Sequence, residues 1–218
     1  MIKKLKEYLK KIILFLFSKK IILRHRKTRE KIVSLTFDDG PHPKYTQQIL
    51  DILKKHNAAA TFFMIGQHAA QHPEIVKQIA EDGHELGNHS LNHNEFVRGK
   101  LKYPHKEMIE AQKVLEDISK REITLFRPPY GILSLRVMIN LMFSNMKIVM
   151  WTIDSDDWKG RAKEEIIEKI FSRGDLSGHI LLFHDRFQVT VETLEELILK
   201  IKKMGYEFVT VSSMIASR

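Results

Sequence analysis

Five short polar clusters in this chain of 218 residues hold residue types that can bind a cation and move protons. Asp38-Asp39-Gly40-Pro41 follows the apolar run of residues 32–37, and His89 and His93 stand four apart in His89-Ser90-Leu91-Asn92-His93. Arg127 precedes Pro128-Pro129-Tyr130-Gly131, and Asp154-Ser155-Asp156-Asp157-Trp158 and His184-Asp185 complete the set. Two imidazoles at this spacing face one cation if their turn is helical or looped back. With one carboxylate they form a His2Asp set suited to Zn²⁺ with an open position for water. Similar sets also accept Co²⁺ or Mn²⁺.

The remaining polar residues each carry two readings. Successive side chains of an extended backbone point apart, so Asp38 and Asp39 are expected to have different tasks, or one of them caps the next helix. Arg127, its backbone fixed by the prolines, either holds an aspartate ionised through charge-assisted bonds or forms a salt bridge that only closes the fold. Asp157 and Trp158 read equally as a structural carboxylate and a core aromatic. His184 ends the run Ile-Leu-Leu-Phe and by default is a core histidine, and only its company makes it a catalytic candidate. His68 and His72 repeat the four-residue spacing with no strand-end carboxylate beside them, and they read as solvent-facing.

The elements that position these clusters follow from hydrophobic periodicity. Strands are expected at 32–37, 59–65, 85–88, 123–126, 148–153, 180–183 and 208–211. Helices are expected at 45–56, 69–82, 104–120, 133–144, 162–172 and 191–204. Strands alternating with helices argue for a parallel sheet, and seven of them favour closure into a distorted (β/α) barrel. An open doubly wound sheet is the alternative, but neither a G-x-G-x-x-G nor a Walker sequence supports it. Each polar cluster comes straight after an expected strand. In an α/β barrel the carboxyl ends of the strands share one face, so five clusters distant in sequence converge on one mouth.

Charge separates the chain into two parts, an extension over 1–30 and one domain over 31–218. The net charge is +9, but residues 1–31 hold twelve Lys and Arg against two Glu, and the rest of the chain has 24 basic and 25 acidic residues. A nearly neutral body argues against a nucleic-acid partner. In the extension Ile2, Leu5, Leu9, Ile12, Ile13 and Leu16 share one helical face, which predicts a basic amphipathic helix lying on an anionic membrane surface. An ordinary helix packed on the barrel is the competing reading. The apolar run 12–17 is too short to span a bilayer, and no cleavable signal peptide is evident. Peripheral membrane association is therefore expected. The chain has no cysteine, which excludes disulfides and thiolate metal sites.

Taken in order, TFDDGP, HSLNH, RPPYG, DSDDW and LLFHD resemble the five motifs of the NodB-homology polysaccharide deacetylases, over about residues 31–214. The resemblance implies a distorted, often seven-stranded barrel and metal-dependent removal of an N-acetyl group from an amino sugar in a glycan or lipid-linked saccharide. It implies Asp39, His89 and His93 as metal ligands, Asp38 as general base and His184 as general acid. It further implies that Arg127 orients Asp38, Asp157 tunes His184, the Tyr130 backbone N–H helps hold the oxyanion, and Trp158 with Leu182 lines the acetyl pocket. A deformylase of a lipid-linked amino sugar and a non-catalytic carbohydrate-binding relative are the alternatives.

Overall fold

The computed structural model describes residues 22–93, 104–132, 141 and 144–217. The amphipathic pattern of residues 2–16 and, apart from residues 141 and 144, the expected helix at 133–144 lie outside the described residues. Among the described residues there are nine strands and seven α-helices, and the strands form one sheet: β1 (Ile22–Leu23), β2 (Ile32–Asp38), β3 (Ala60–Met64), β4 (Glu85–Asn88), β5 (Leu125–Phe126), β6 (Lys147–Val149), β7 (Ile153–Asp154), β8 (Ile180–His184) and β9 (Glu207–Phe208). The helices are α1 (Tyr45–Lys55), α2 (Gly66–Gln71), α3 (Pro73–Glu81), α4 (Pro104–Ser119), α5 (Lys163–Phe171), α6 (Gln188–Lys203) and α7 (Val211–Ala216). Among the described residues no helix is long and apolar enough to cross a membrane.

Every strand pair is parallel, in the order β1-β6-β5-β4-β3-β2-β8-β7, with β9 on β2. The seven strands expected from sequence are nine here, for two reasons. Expected strand 148–153 is divided, its first part pairing with β5 and its second with β8. Residues 150–152 thus link β6, the strand next to one edge of the sheet, to β7 at the other edge, which curls the sheet in the manner of a distorted barrel. The additional strand is β1, which pairs with β6. Arg26 also donates its backbone N–H to Gly178 and its guanidinium to the Ser217 carbonyl, so residues 22–30 pack with the body.

Two further expectations change. One helix was expected over 69–82, but α2 and α3 are separated at His72, whose φ of −132° and ψ of 57° are not helical. Pro73 crowds the residue before it out of the α region and brings no N–H to continue the ladder. The last expected strand, 208–211, shortens to β9 because Thr210 caps α7, accepting the Ser213 N–H on its hydroxyl.

Strand alternation decides which side chains reach the site. On β2, Val33, Leu35 and Phe37 join the large core shared with Ile49 and Leu53 of α1 and Leu194, Leu197 and Ile198 of α6. Ile32, Ser34, Thr36 and Asp38 therefore take the opposite face, where Ile32 packs with Phe63, Ile180 and Met214. On β8, Leu181 and Phe183 belong to the helix side, while Ile180, Leu182 and His184 face inward with Asp38. A one-residue slip of either strand would bury Asp38 or His184 against the helices.

Candidate active site

Asp38, Asp39, His89, His93, Tyr130, Trp158, Leu182 and His184 line one pocket of about 490 Å³, with Trp151, Asp154, Arg186 and Phe187. The structure thus brings together eight of the ten site residues singled out from sequence. Arg127 and Asp157 stand directly behind two of these, and both are buried.

The aspartate pair does not point apart as extended backbone predicts. Strand β2 ends at Asp38, and Asp39 takes a left-handed φ of 75°. That turn swings both carboxylates onto one side, so His89 Nε2 lies 3.7 Å from Asp38 Oδ2 and 3.6 Å from Asp39 Oδ1. Ser90, His93, Tyr130 and Asp156 are also left-handed. Such conformations cost non-glycine residues about 1–3 kcal/mol each, and here they gather where side chains are aimed.

Different partners give the two aspartates different tasks. Asp38 Oδ1 accepts a 2.6 Å bond from Arg127 Nη1. Arg127 is fully buried, and its other donors go to Thr36 Oγ1 and the carbonyls of Val149 and Met150. Its guanidinium lies 4.0 Å from the centroid of the Phe63 ring. A Cβ at position 87 would collide with that ring, so Gly87 is required for the stack. Every group holding Arg127 is buried, which fixes Asp38 Oδ1 and leaves Oδ2 toward the pocket.

Asp39 Oδ1, by contrast, is buried and has no hydrogen-bond partner. It lies 3.3 Å from His93 Nε2 as well as 3.6 Å from His89 Nε2, and one ligand atom from each residue falls within 4.8 Å of the others. An orphaned buried carboxylate oxygen facing two imidazole nitrogens is costly unless something neutralises it. Residues 89–93 are looped back and not helical, with the His93 N–H donated to Ser90 Oγ. His89 Nδ1 lies 2.8 Å from the Arg127 carbonyl, which only accepts, so Nδ1 donates there and Nε2 is the ring nitrogen aimed at the aspartates. Burial and the neighbouring His89 lower the His93 pKa to about 4 against the pull of Asp39 and Asp38. Burial acts to raise Asp39, but His89, His93, His184 and Arg186 outweigh it and lower its pKa. Two imidazole nitrogens converging on one carboxylate oxygen are the donor set a divalent cation requires, so these three residues fit one.

Across the pocket His184 is held by one buried carboxylate. Asp157 Oδ1 lies 2.8 Å from His184 Nδ1, and Asp157 Oδ2 accepts the His184 backbone N–H and the Thr190 hydroxyl, each at 2.7 Å. Burial acts to lower the His184 pKa, but the hydrogen bond and charge of Asp157, with Asp38 and Asp39, raise it to about 9. Asp157 is therefore the inner carboxylate of this cluster. Its neighbour Asp156 points elsewhere and pairs with Lys159, Arg161 and Lys169. Trp158 is half exposed at the pocket wall, and the Tyr130 ring stands 4.7 Å from that of His93.

Four participants escape the sequence reading. His68 is not solvent-facing: its Nδ1 bonds the Asp39 carbonyl at 2.8 Å and holds the left-handed turn. It lies in the first turn of α2, directly after β3, so its place near a strand's carboxyl end was a usable signal. Arg186, two residues after His184, brings Nη1 within 3.4 Å of Asp39 Oδ2. Thr190 supports Asp157. Asp185 is buried with Oδ1 unpaired and Oδ2 accepting from Thr46, and burial raises its pKa to about 7. No signal in the sequence separates Thr190 from any other helix threonine.

The fold and site define a class: an α/β protein with a candidate-ligand triangle of Asp39, His89 and His93 flanked by an arginine-braced aspartate and an aspartate-braced histidine at the mouth of a curled parallel sheet. Within that class the chain belongs to the polysaccharide deacetylase family, whose model matches residues 25–149. It is 38% identical over 192 residues to a peptidoglycan-N-acetylglucosamine deacetylase of Bacillus cereus, covering 85% of this chain and 89% of that one. It is 37% identical over 186 residues to the peptidoglycan-N-acetylmuramic acid deacetylase PdaC of Bacillus subtilis, covering 85% of this chain and 39% of PdaC. The chain thus spans about two fifths of the length of that relative. Its structure is similar to that of the Bc1960 peptidoglycan N-acetylglucosamine deacetylase, with a TM-score of 0.86 and 32% identity over 94% of this chain and 97% of the other.

Proposed function

We propose that the chain is a metal-dependent hydrolase that removes the N-acetyl group from an amino sugar of a peptidoglycan-type glycan. The observation that carries this reading is one pocket with three elements: the Asp39–His89–His93 triangle, an Asp38 braced by buried Arg127, and a His184 braced by buried Asp157. The names of the relatives support the substrate class.

Amide hydrolysis needs an activated water, a place for negative charge on the carbonyl oxygen, and a proton for the departing amine. Asp39, His89 and His93 would hold a divalent cation, most simply Zn²⁺, which supplies Lewis-acid polarisation and a more acidic water. Asp38 Oδ2, with Oδ1 fixed by Arg127, takes the proton of the attacking water. His184, its Nδ1 proton on Asp157, directs Nε2 to the leaving nitrogen and protonates it. Trp158 and Leu182 form the wall for a small acyl group. No covalent enzyme intermediate is involved.

Mass spectrometry of N-acetylated glycan fragments incubated with zinc-loaded protein tests the reading. A loss of about 42 Da per sugar is expected, and a loss of about 28 Da would mean deformylation instead. Unchanged glycans alongside a fully loaded metal site would leave only a carbohydrate-binding relative.

We further propose that the protein lies at a membrane surface through residues 1–30, on the strength of their basic, amphipathic sequence. Vesicles of anionic lipid should sediment the full-length chain at low salt, and binding should weaken as salt rises. Absence of binding at low salt would end the membrane reading and leave the hydrolase reading intact.

A further inference from the structure

Beside the catalytic pocket lies a second cavity of about 430 Å³ that shares Asp39 and Arg186 with it. Its wall also carries Pro41, His42, Pro43, His68, Gln71 and His72. A glycan is a chain, so a sugar placed for hydrolysis has neighbours that must run along the adjoining surface. This inference therefore rests on the reading of the main pocket as an amino-sugar site.

The hydrogen bonds fix what the cavity offers. His42 Nδ1 accepts the backbone N–H groups of Lys44 and Tyr45, both at 3.2 Å, so its proton is on Nε2 and that atom donates. The His42 ring is stacked on Tyr45 with centroids 4.5 Å apart, which holds its plane. His68 is the converse: Nδ1 donates to the Asp39 carbonyl, and Nε2 of the neutral ring accepts. Arg186 makes one 3.4 Å contact with Asp39, which leaves most of its five donors unengaged by that contact. Its side chain is 52% exposed.

Charge around the cavity is also one-sided. Burial lowers the His42 pKa, and His72, Arg186, Lys44 and His68 act in the same direction. Glu74, 3.7 Å from His72 Nδ1, is largely exposed and not part of the wall. Asp39 is the acidic member of the wall; its Oδ1 faces His89 and His93, and its Oδ2 faces Arg186.

We propose that this cavity binds a carboxylate-bearing substituent on a sugar next to the one being hydrolysed. Arg186 and His42 Nε2–H hold the carboxylate, and His68 Nε2 accepts a hydroxyl of the same residue. Arginine suits the task because its planar donors match a carboxylate in a way a point charge does not. The chemical class is an acidic glycan such as one bearing lactyl ether carboxylates, and a neutral chitin-like oligomer lacks the group that the cavity recognises.

Binding tests this independently of turnover. The zinc-loaded full-length Asp38→Asn protein is titrated with an N-acetylated oligosaccharide bearing lactyl carboxylates, and with the same oligosaccharide as its methyl amide. The carboxylate form is expected to bind about tenfold more tightly, as a charge-assisted contact predicts. Adding Arg186→Gln or His42→Ala should bring the ratio close to one, while Arg186→Lys should retain part of the preference. Equal affinity for the two forms before either addition overturns the proposal, as does failure to bind both. So does a preference that survives both Arg186→Gln and His42→Ala. The deacetylase reading fails on a different result: glycan that binds with this preference but loses no acyl group in the wild-type chain.

Discussion

Asp38→Asn should lower kcat on an N-acetyl sugar by about 10²–10⁴-fold while the protein still takes up one equivalent of metal. Asparagine keeps the shape that Arg127 grips, and its side-chain oxygen still accepts the 2.6 Å bond. It has no basic site for the proton of the attacking water. The triangle of Asp39, His89 and His93 is untouched, so metal content measured by mass spectrometry should match wild type. A second effect follows from burial. Arg127 is fully enclosed, and removing the charge of Asp38 leaves a buried cation without its counterion. Breaking such a pair costs about 3–5 kcal/mol, softened here by Thr36 and two backbone carbonyls, so the variant should melt earlier yet still cooperatively. Asp39→Ala should behave in the opposite way, losing metal and activity together. If Asp38→Asn emptied the site and Asp39→Ala kept it loaded, the two roles would be exchanged.

The contrast between these neighbours shows what a sequence can disclose. Residue type and strand-end position were enough to gather Asp38, His89, Arg127, Asp157 and His184, because parallel strands deliver their carboxyl ends to one face. Direction was harder to read. Alternation alone would send Asp39 away from Asp38, and only the left-handed turn, stabilised by His68 from a different segment, overrides it. The division of residues 148–153 was hidden for a similar reason: its two parts have different partner strands, and pairing is tertiary information. The break at His72-Pro73 was legible, since proline forecasts it locally, but the apolar face continued through it. Arg186 carried no motif at all. Its meaning comes from the wall it shares with Asp39, which exists only once β2 and β8 are paired.

His184→Ala should cost about 10²–10⁴-fold on an N-acetyl sugar and far less on an activated acetyl ester. An amine leaves only when protonated, whereas an activated alkoxide leaves readily without help. Equal losses on both substrates would mean that His184 acts through packing or through the oxyanion. The pH profile gives a second, sharper test. An acid works only while protonated, and the His184 pKa is raised to about 9 against an ordinary 6.5. The active form is therefore present at neutral pH and is lost as pH rises through the folded-state value, which sets an alkaline limb. Burial alone would pull that limb down, and the Asp157 hydrogen bond and charge are the larger part of what holds it up. Asp157→Asn keeps a side-chain oxygen for the Nδ1 proton but removes the charge, so the alkaline limb should move to lower pH by about one unit or more. A bound cation lowers the limb in both proteins, and the comparison is made at equal metal loading. An unchanged limb in Asp157→Asn would show that the group titrating there is not His184. A limb that moves upward would contradict the sign of the Asp157 interaction itself.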